Sequence, residues 1–300
     1  MLSIKHLTKV LGLATLAALT AGLATPAAQA SPVPPKASSA LLGTWVNVNP
    51  SSNSVKQVVV SPTRLGNVVV DAFGACSPSY CEWGKVPAIV YGTSVSSTAG
   101  AIFQTNQQFL SAGTEWSRTT LLGEVVKTRV GLRLKLRELT VFEDGSGRKN
   151  YEVDETFMLG DGTAPTTAGH SVASYRLGDR PALDAGALGS WVNPAATGGL
   201  AKVVIGGTAA APVVHAYGQC SPTPCDWGRV RGVTYGDGIS SSVGEKVLAP
   251  FKFGFKKAQL AITFHHPVKG ADTLTVTSYN EFTDGSGRSN YAKTETLVRP

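Results

Sequence analysis

The chain has 300 residues, 42% hydrophobic and 16% charged, with 27 Lys and Arg against 20 Asp and Glu for a net charge of +7. Lys5 and Lys9 fall in the first thirty residues, which leaves 25 basic residues over the remainder, a scattered excess that argues against a specific nucleic-acid surface. Past the N-terminal segment no apolar run is long enough to span a bilayer, which argues against a membrane-embedded protein.

Residues 1–30 read as an export signal. Lys5, His6 and Lys9 make a basic start, residues 10–24 an Ala/Leu-rich apolar core, and Ala28-Gln29-Ala30 a small-residue cleavage site. The apolar core is shorter than the ~20 residues of a membrane span, so a secreted, extracellular protein beginning at Ser31 is expected. Residues 31–40, rich in Pro, Ser and Ala, are expected to form a disordered leader.

From there the chain is written twice. Gly43-Thr44-Trp45-Val46-Asn47 returns as Gly189-Ser190-Trp191-Val192-Asn193, and Cys76-x4-Cys81-Glu82-Trp83-Gly84 as Cys220-x4-Cys225-Asp226-Trp227-Gly228. Asp144-Gly145-Ser146-Gly147-Arg148 returns as Asp284-Gly285-Ser286-Gly287-Arg288. The offset shrinks from 146 to 144 to 140, so the copies differ by short loop deletions. Units of this length are two domains, not solenoid turns: repeat 1 over 41–159, a Gly/Ala/Thr-rich linker over 160–187, and repeat 2 over 188–300.

Valines cluster at 58–60, 68–70, 203–204 and 213–214, and long alternating stretches cover 130–143, 148–158, 258–265, 272–282 and 288–298. Strands of this length, separated by Gly, Asn, Asp and Pro, predict an all-β fold. It would consist of two tandem antiparallel β-barrel or sandwich domains of about eight strands each. Arg129, Arg133, Lys135 and Arg137 alternate with leucines and read as a solvated strand face. The Asp-Gly-Ser-Gly-Arg run reads as a tight turn whose glycines supply positive φ; it has too few oxygen ligands for calcium.

Four cysteines, two per copy at one spacing, read as the disulfides Cys76–Cys81 and Cys220–Cys225, each contributing about 2 kcal/mol. A shared metal site is the alternative, but Cys-x4-Cys lacks the usual zinc spacing, and no metal or cofactor is expected. Trp83 and Trp227 follow the second cysteine of each loop. They pack over the disulfide or present a contact surface for a carbohydrate or protein.

The opening Leu-Gly-(Thr/Ser)-Trp-Val-Asn of each copy resembles the first strand of the calycins, and most closely that of the avidins, Gly-Thr-Trp-x-Asn. The resemblance implies eight-stranded antiparallel barrels that bind a small ligand inside, with Asn47 and Asn193 at a ligand-holding position. It covers five or six residues per copy. Counterparts of the later avidin tryptophans are lacking and the Cys-x4-Cys loop departs from that pattern, so biotin is not carried over.

Strand parity adds a second set of candidates. The even positions of 132–142 run Leu, Leu, Leu, Glu138, Thr140, Phe142, and those of 274–282 run Leu, Val, Ser278, Asn280, Phe282. Each apolar face thus turns polar before an aromatic. Glu155 and Glu295 share their strand face with a tyrosine and an apolar residue. Such inward polar groups require one another, water or a ligand, and for the two half-buried glutamates the expected partners are Arg148 and Arg288 from the turns or a ligand. An outward bulge or a rim salt bridge is the competing reading.

The histidines past the signal, His170, His215, His265 and His266, are unmatched between copies, and no Gly-x-Ser-x-Gly or His-Glu-x-x-His motif occurs. The sequence therefore predicts a monomeric, two-domain, non-catalytic exported binding protein for a small molecule or a surface glycan or polymer. Three alternatives stay open: a secreted protease inhibitor acting through the Cys-x4-Cys loops, a carboxylate-dependent cell-wall hydrolase, and a structural wall protein.

Overall fold

A computed structural model describes residues 35–64, 67–77, 79–111, 113–162, 180–195 and 198–300; the expected export signal and most of the linker lie outside the described residues. The protein is all-β, in two barrel-like sheets. Copy 1 supplies β1 (Gly43–Asn47), β2 (Val55–Pro62), β3 (Val68–Gly74), β4 (Cys81–Tyr91), β5 (Ile102–Ser111), β6 (Thr114–Thr128), β7 (Gly131–Phe142) and β8 (Tyr151–Leu159). They pair antiparallel as β8-β1-β2-β3-β4-β5-β6-β7 and close, so barrel 1 is an up-and-down meander whose last strand returns to its first.

Copy 2 supplies β9 (Gly189–Val192), β10 (Leu200–Thr208), β11 (Ala211–Gly218), β12 (Cys225–Arg231), β13 (Val233–Tyr235), β14 (Lys246–Lys252), β15 (Lys256–His265), β16 (Thr273–Phe282) and β17 (Tyr291–Val298). The order is β12-β11-β10-β9-β17-β16-β15-β14-β13. Its two edges, β12 and β13, are one chain segment interrupted at Gly232, whose N–H turns to Pro212 O. The ninth strand is therefore a break in the strand that is continuous as β4 in copy 1. No helix among the described residues is long and apolar enough to cross a membrane.

Alternation decides what fills each barrel. Leu134, Leu136, Phe157, Val58, Val70 and Phe103 pack inside barrel 1 around Trp45; Val203, Leu260, Ile262, Val276 and Leu297 do so around Trp191. Each such side chain contributes roughly 1.5–3 kcal/mol on burial. The opening motif has a local reason as well. Gly43 and Gly189 sit at φ 131° and 113°, a backbone that side chains other than glycine's rarely adopt. Each indole N–H then donates to a carbonyl four residues back, Leu41 O at 3.1 Å and Ala187 O at 2.9 Å.

The two disulfides form as expected, with Cα–Cα distances of 5.6 and 5.5 Å, and belong to an oxidising environment. Two segments expected to lack structure carry some. Lys36–Ala37, within the expected leader, pairs with Ala99–Gly100, and Ala182–Leu183, at the end of the expected linker, pairs with Val243–Gly244. Backbone pairing, which composition does not report, tethers both.

The barrels meet through reciprocal contacts. Gly92 N donates to Asn290 O and Ala292 N to Gly92 O; their counterparts are Gly236 N to Asn150 O and Glu152 N to Gly236 O, all at 2.9–3.0 Å. Ser289 N to Val95 O and Lys149 N to Ile239 O complete the exchange, both 2.8 Å. Every bond has its copy-swapped partner, the signature of an approximate two-fold relation. Tyr91 stacks edge-on against Tyr279 at 5.5 Å, and Gln104 Nε2 donates to Gln259 Oε1 at 2.7 Å.

Arg137, read from the sequence as solvated, instead turns into this seam, 3.1 Å from Glu152 and 3.2 Å from Asp154; Lys246 of copy 2 lies 3.4 Å from Glu152. Burial pushes the Glu152 carboxyl up to about 7 despite both cations. Its folded-state pKa lies above the unfolded value near 4.5, so its contribution is full below that value and lost as pH rises through about 7. Glu152→Gln is expected to remove ~3 kcal/mol of the stability loss between pH 5 and pH 8, read from urea midpoints at both pH values. Parallel wild-type and variant pH profiles would refute this.

Candidate functional site

Both barrels turn polar inside at the same end, the one bearing the disulfide loop and the Asp-Gly-Ser-Gly-Arg turn. In barrel 1, Glu138 and Thr140 face inward from β7, opposite Val153 and Tyr151 of β8. Glu138 is 1% exposed. Its Oε2 accepts from the Ser54 hydroxyl, and Glu155 Oε1 accepts from the Ser52 hydroxyl. Asn47 positions the loop that carries these serines, donating through Nδ2 to Val55 O at 2.8 Å and accepting from Asn49 N at 2.8 Å.

The Val55 N–H also reaches the Glu138 carboxyl, and the two carboxyls hydrogen-bond each other; among the described residues no further donor meets Glu138 Oε1 or Glu155 Oε2. Burial, followed by the neighbouring Glu155 carboxylate, holds the Glu138 carboxyl well above its ordinary range. The next row of the same polar layer holds the Thr119–Thr140 hydroxyl pair at 2.8 Å and, across from Thr119, Gln107, fully buried with Oε1 unpartnered.

Aromatic rings roof this layer. Trp83 meets Phe109 edge-on at 5.1 Å, Phe109 meets Trp116 at 5.7 Å, and Arg148 lies 5.1 Å from the Trp116 ring and 4.1 Å from Phe142. Trp83 covers Gly74, where a Cβ would lie 2.5 Å from the indole nitrogen. Trp227 covers Gly218 in the same manner. Both tryptophans therefore turn inward from the Cys loops as packing groups.

Barrel 2 has the same plan with different chemistry. Ser278 and Asn280 take the places of Glu138 and Thr140. Lys256, 8% exposed, points inward from β15 and donates to Asn280 Oδ1 at 2.8 Å. Its ammonium lies 4.4 Å from the Trp227 ring and 5.3 Å from Phe253. Burial, with Arg288 adding repulsion, pushes Lys256 down to about 8. Glu295 is fully engaged, accepting from Asn193 Nδ2 at 3.0 Å and Leu200 N at 2.9 Å, with Lys293 Nζ at 2.9 Å.

The structure thus gathers Asn47, Glu138, Thr140, Glu155 and Trp83 at one barrel end, and Asn193, Ser278, Asn280, Glu295 and Trp227 at the other. The expected pairing of Glu155 and Glu295 with the turn arginines is corrected. Arg148 and Arg288 are held by Asp144 and Asp284 of their own turns, four residues away, where the turn delivers the carboxylate at no cost in reach. Sequence reading missed Ser52, Ser54, Gln107, Lys256 and Lys293. Ser52 and Ser54 lie on a loop without periodicity, and Lys256 and Lys293 have no lysine at the matching places of copy 1.

Outside the barrels, a groove of about 610 Å³ runs along the seam, lined among others by Lys135, Arg137, Asp154, Tyr279 and Lys293. Among the described residues no cluster of three or more His, Cys, Asp or Glu is arranged to hold a metal ion. The chain matches no protein-family model, no curated protein and no solved structure.

Proposed function

We propose that the protein is an exported, non-catalytic binding protein, and that the loop-bearing end of barrel 1 receives a small molecule or one group of a surface glycan or polymer. The supporting observation is the pairing of buried Glu138 with half-buried Glu155 inside barrel 1, with no cation partner to either among the described residues. Two carboxyls that have only each other and single hydroxyl or amide donors are costly to bury, and a ligand that brings donors or positive charge would complete them. The Gly-x-Trp-x-Asn opening strand points the same way.

Hydrolysis of glycosides is less well supported, because enzymes of that kind hold their two carboxyls about 5 Å or more apart, whereas Glu138 and Glu155 lie together. The inhibitor reading loses its best contact residues once Trp83 and Trp227 turn into the barrels.

Native mass spectrometry of protein taken from its producer's own medium, before and after denaturation, tests the proposal. The expected result is one equivalent of a small molecule, released on unfolding and absent from Glu138→Gln. Bare mass from freshly prepared wild type, unchanged on incubation with concentrated medium, would overturn it. Turnover of wall sugar that vanished in Glu155→Gln would replace it with an enzyme.

A further inference from the structure

We infer that the group received by barrel 1 is an ammonium, carried by an amine ligand, and that barrel 2 shows the interaction in built-in form through Lys256. The inference rests on the binding role proposed above and names the chemistry of that site.

The two copies carry opposite charge at equivalent places. Strand register aligns Glu138 with Ser278, since Glu138 pairs across to Val153 and Ser278 to Lys293. Ser117 and Lys256 likewise correspond, because they pair with Phe142 and Phe282. Barrel 2 therefore holds two lysines, Lys256 and Lys293, where barrel 1 has Ser117 and Val153. Barrel 1 adds a carboxyl, Glu138, where barrel 2 has Ser278. Three substitutions all move barrel 1 toward negative charge.

The aromatic surround is kept. Trp83, Phe109 and Trp116 occupy the positions of Trp227, Phe253 and Phe255, the rings nearest the Lys256 ammonium. Ring faces attract a cation, and more strongly away from water. Arg148 does not supply the missing charge, being bound by Asp144 just as Arg288 is bound by Asp284. In barrel 2 the lysine ammonium has an aromatic wall and an amide oxygen. Barrel 1 offers the wall and two carboxyls, and lacks the ammonium.

An ammonium set between the two carboxyls is paired with opposite charge and hydrogen-bonded, which offsets the cost of taking it out of water. Burial raises the Glu138 carboxyl and a neighbouring cation lowers it, so binding of R–NH₃⁺ between Glu138 and Glu155 is accompanied by proton release to solvent. No bond to carbon forms or breaks.

The test uses the full chain and four probes of similar shape: n-butylammonium, 1,4-diaminobutane, n-butanol and butyrate. Titration calorimetry in two buffers of different ionisation heat reads affinity and proton release together. The expected result is binding of at least one ammonium probe ten-fold or more tighter than butanol, with proton release and no butyrate binding. Glu138→Gln should weaken it at least ten-fold. Ser117→Lys, which transplants the lysine of barrel 2, should abolish it. Lys256→Met, confined to the other barrel, should leave it unchanged and guards against a general loss of fold.

Butanol binding as tightly as the ammonium probes, or ammonium binding that survives Ser117→Lys in a folded variant, would overturn the inference. So would silence from both ammonium probes. A neutral or anionic molecule found in barrel 1 by mass spectrometry would overturn the ammonium assignment and leave the binding role standing. The absence of any bound molecule would remove both.

Discussion

Replacing Trp45 or Trp191 with alanine is expected to cost its own barrel about 3–5 kcal/mol. Both indoles are fully buried, and both anchor the closed end of their barrel by donating to a carbonyl four residues back. Alanine removes the largest side chain from the core and also leaves Leu41 O or Ala187 O without its donor. Neither loss is repaired by collapse, because the surrounding strands are fixed by their ladders. Against a typical domain stability of about 5–15 kcal/mol, the affected barrel becomes marginal. Trp→Phe retains much of the volume and loses the donor, so a smaller cost of about 1–3 kcal/mol is expected. Urea unfolding followed by near-ultraviolet circular dichroism should show the loss confined to the mutated barrel. Alanine variants within 1 kcal/mol of wild type would show that the opening motif is not an anchor.

The double variant Gly92→Val, Gly236→Val is expected to part the two barrels without unfolding them. A Cβ at Gly92 would lie 2.2 Å from Ser97 Cβ, and one at Gly236 would lie 2.4 Å from Ser241 Cβ and 3.2 Å from Val243 O. The loops must move, and each glycine carries both an N–H and a C=O bonded across the seam. Four backbone hydrogen bonds at about 0.5–1.5 kcal/mol each are at stake, together with the apolar contact of Tyr91, Leu139, Tyr235 and Tyr279. Small-angle scattering should report a larger radius of gyration, with each barrel's circular dichroism retained. An unchanged radius would show that side-chain packing alone holds the pair. Either single variant should weaken the seam by about half as much, because the contacts come in matched sets.

Much of the fold was legible because alternation is a direct image of an inside and an outside. The leucines of β7 and the valines of β2, β3, β10 and β11 have that image, and the duplicated motifs fixed the number of domains. Strands β5 and β6 have a weaker pattern for a reason that bears on the site. Their inward positions at one end are Thr105, Gln107, Ser117 and Thr119, all buried, so the polar layer that makes barrel 1 chemically interesting also blurs its strands. The same parity argument located Glu138, Thr140, Glu155, Ser278, Asn280 and Glu295, since an inward polar residue breaks an apolar run. It could not locate Lys256, which looks like one more basic residue at a strand end. Nor could it find the seam, because an outward face that meets the other barrel carries the mixed composition of one that meets water. Arg137 is the clearest instance.

The seam between the barrels is joined by a matched set of main-chain amides as well as by side chains, and amides are the same in every residue. The side chains around it have diverged, with Tyr91 set against Tyr279 on one side and Leu139 near Tyr235 on the other, while the six exchanged backbone bonds are intact. The main-chain part of this junction places little restraint on the sequence of either half. Covalent linkage further relieves each half of having to find its partner by diffusion. Substitutions deep in one barrel therefore leave the pairing untouched, and the two interiors are free to specialise separately within a common outline.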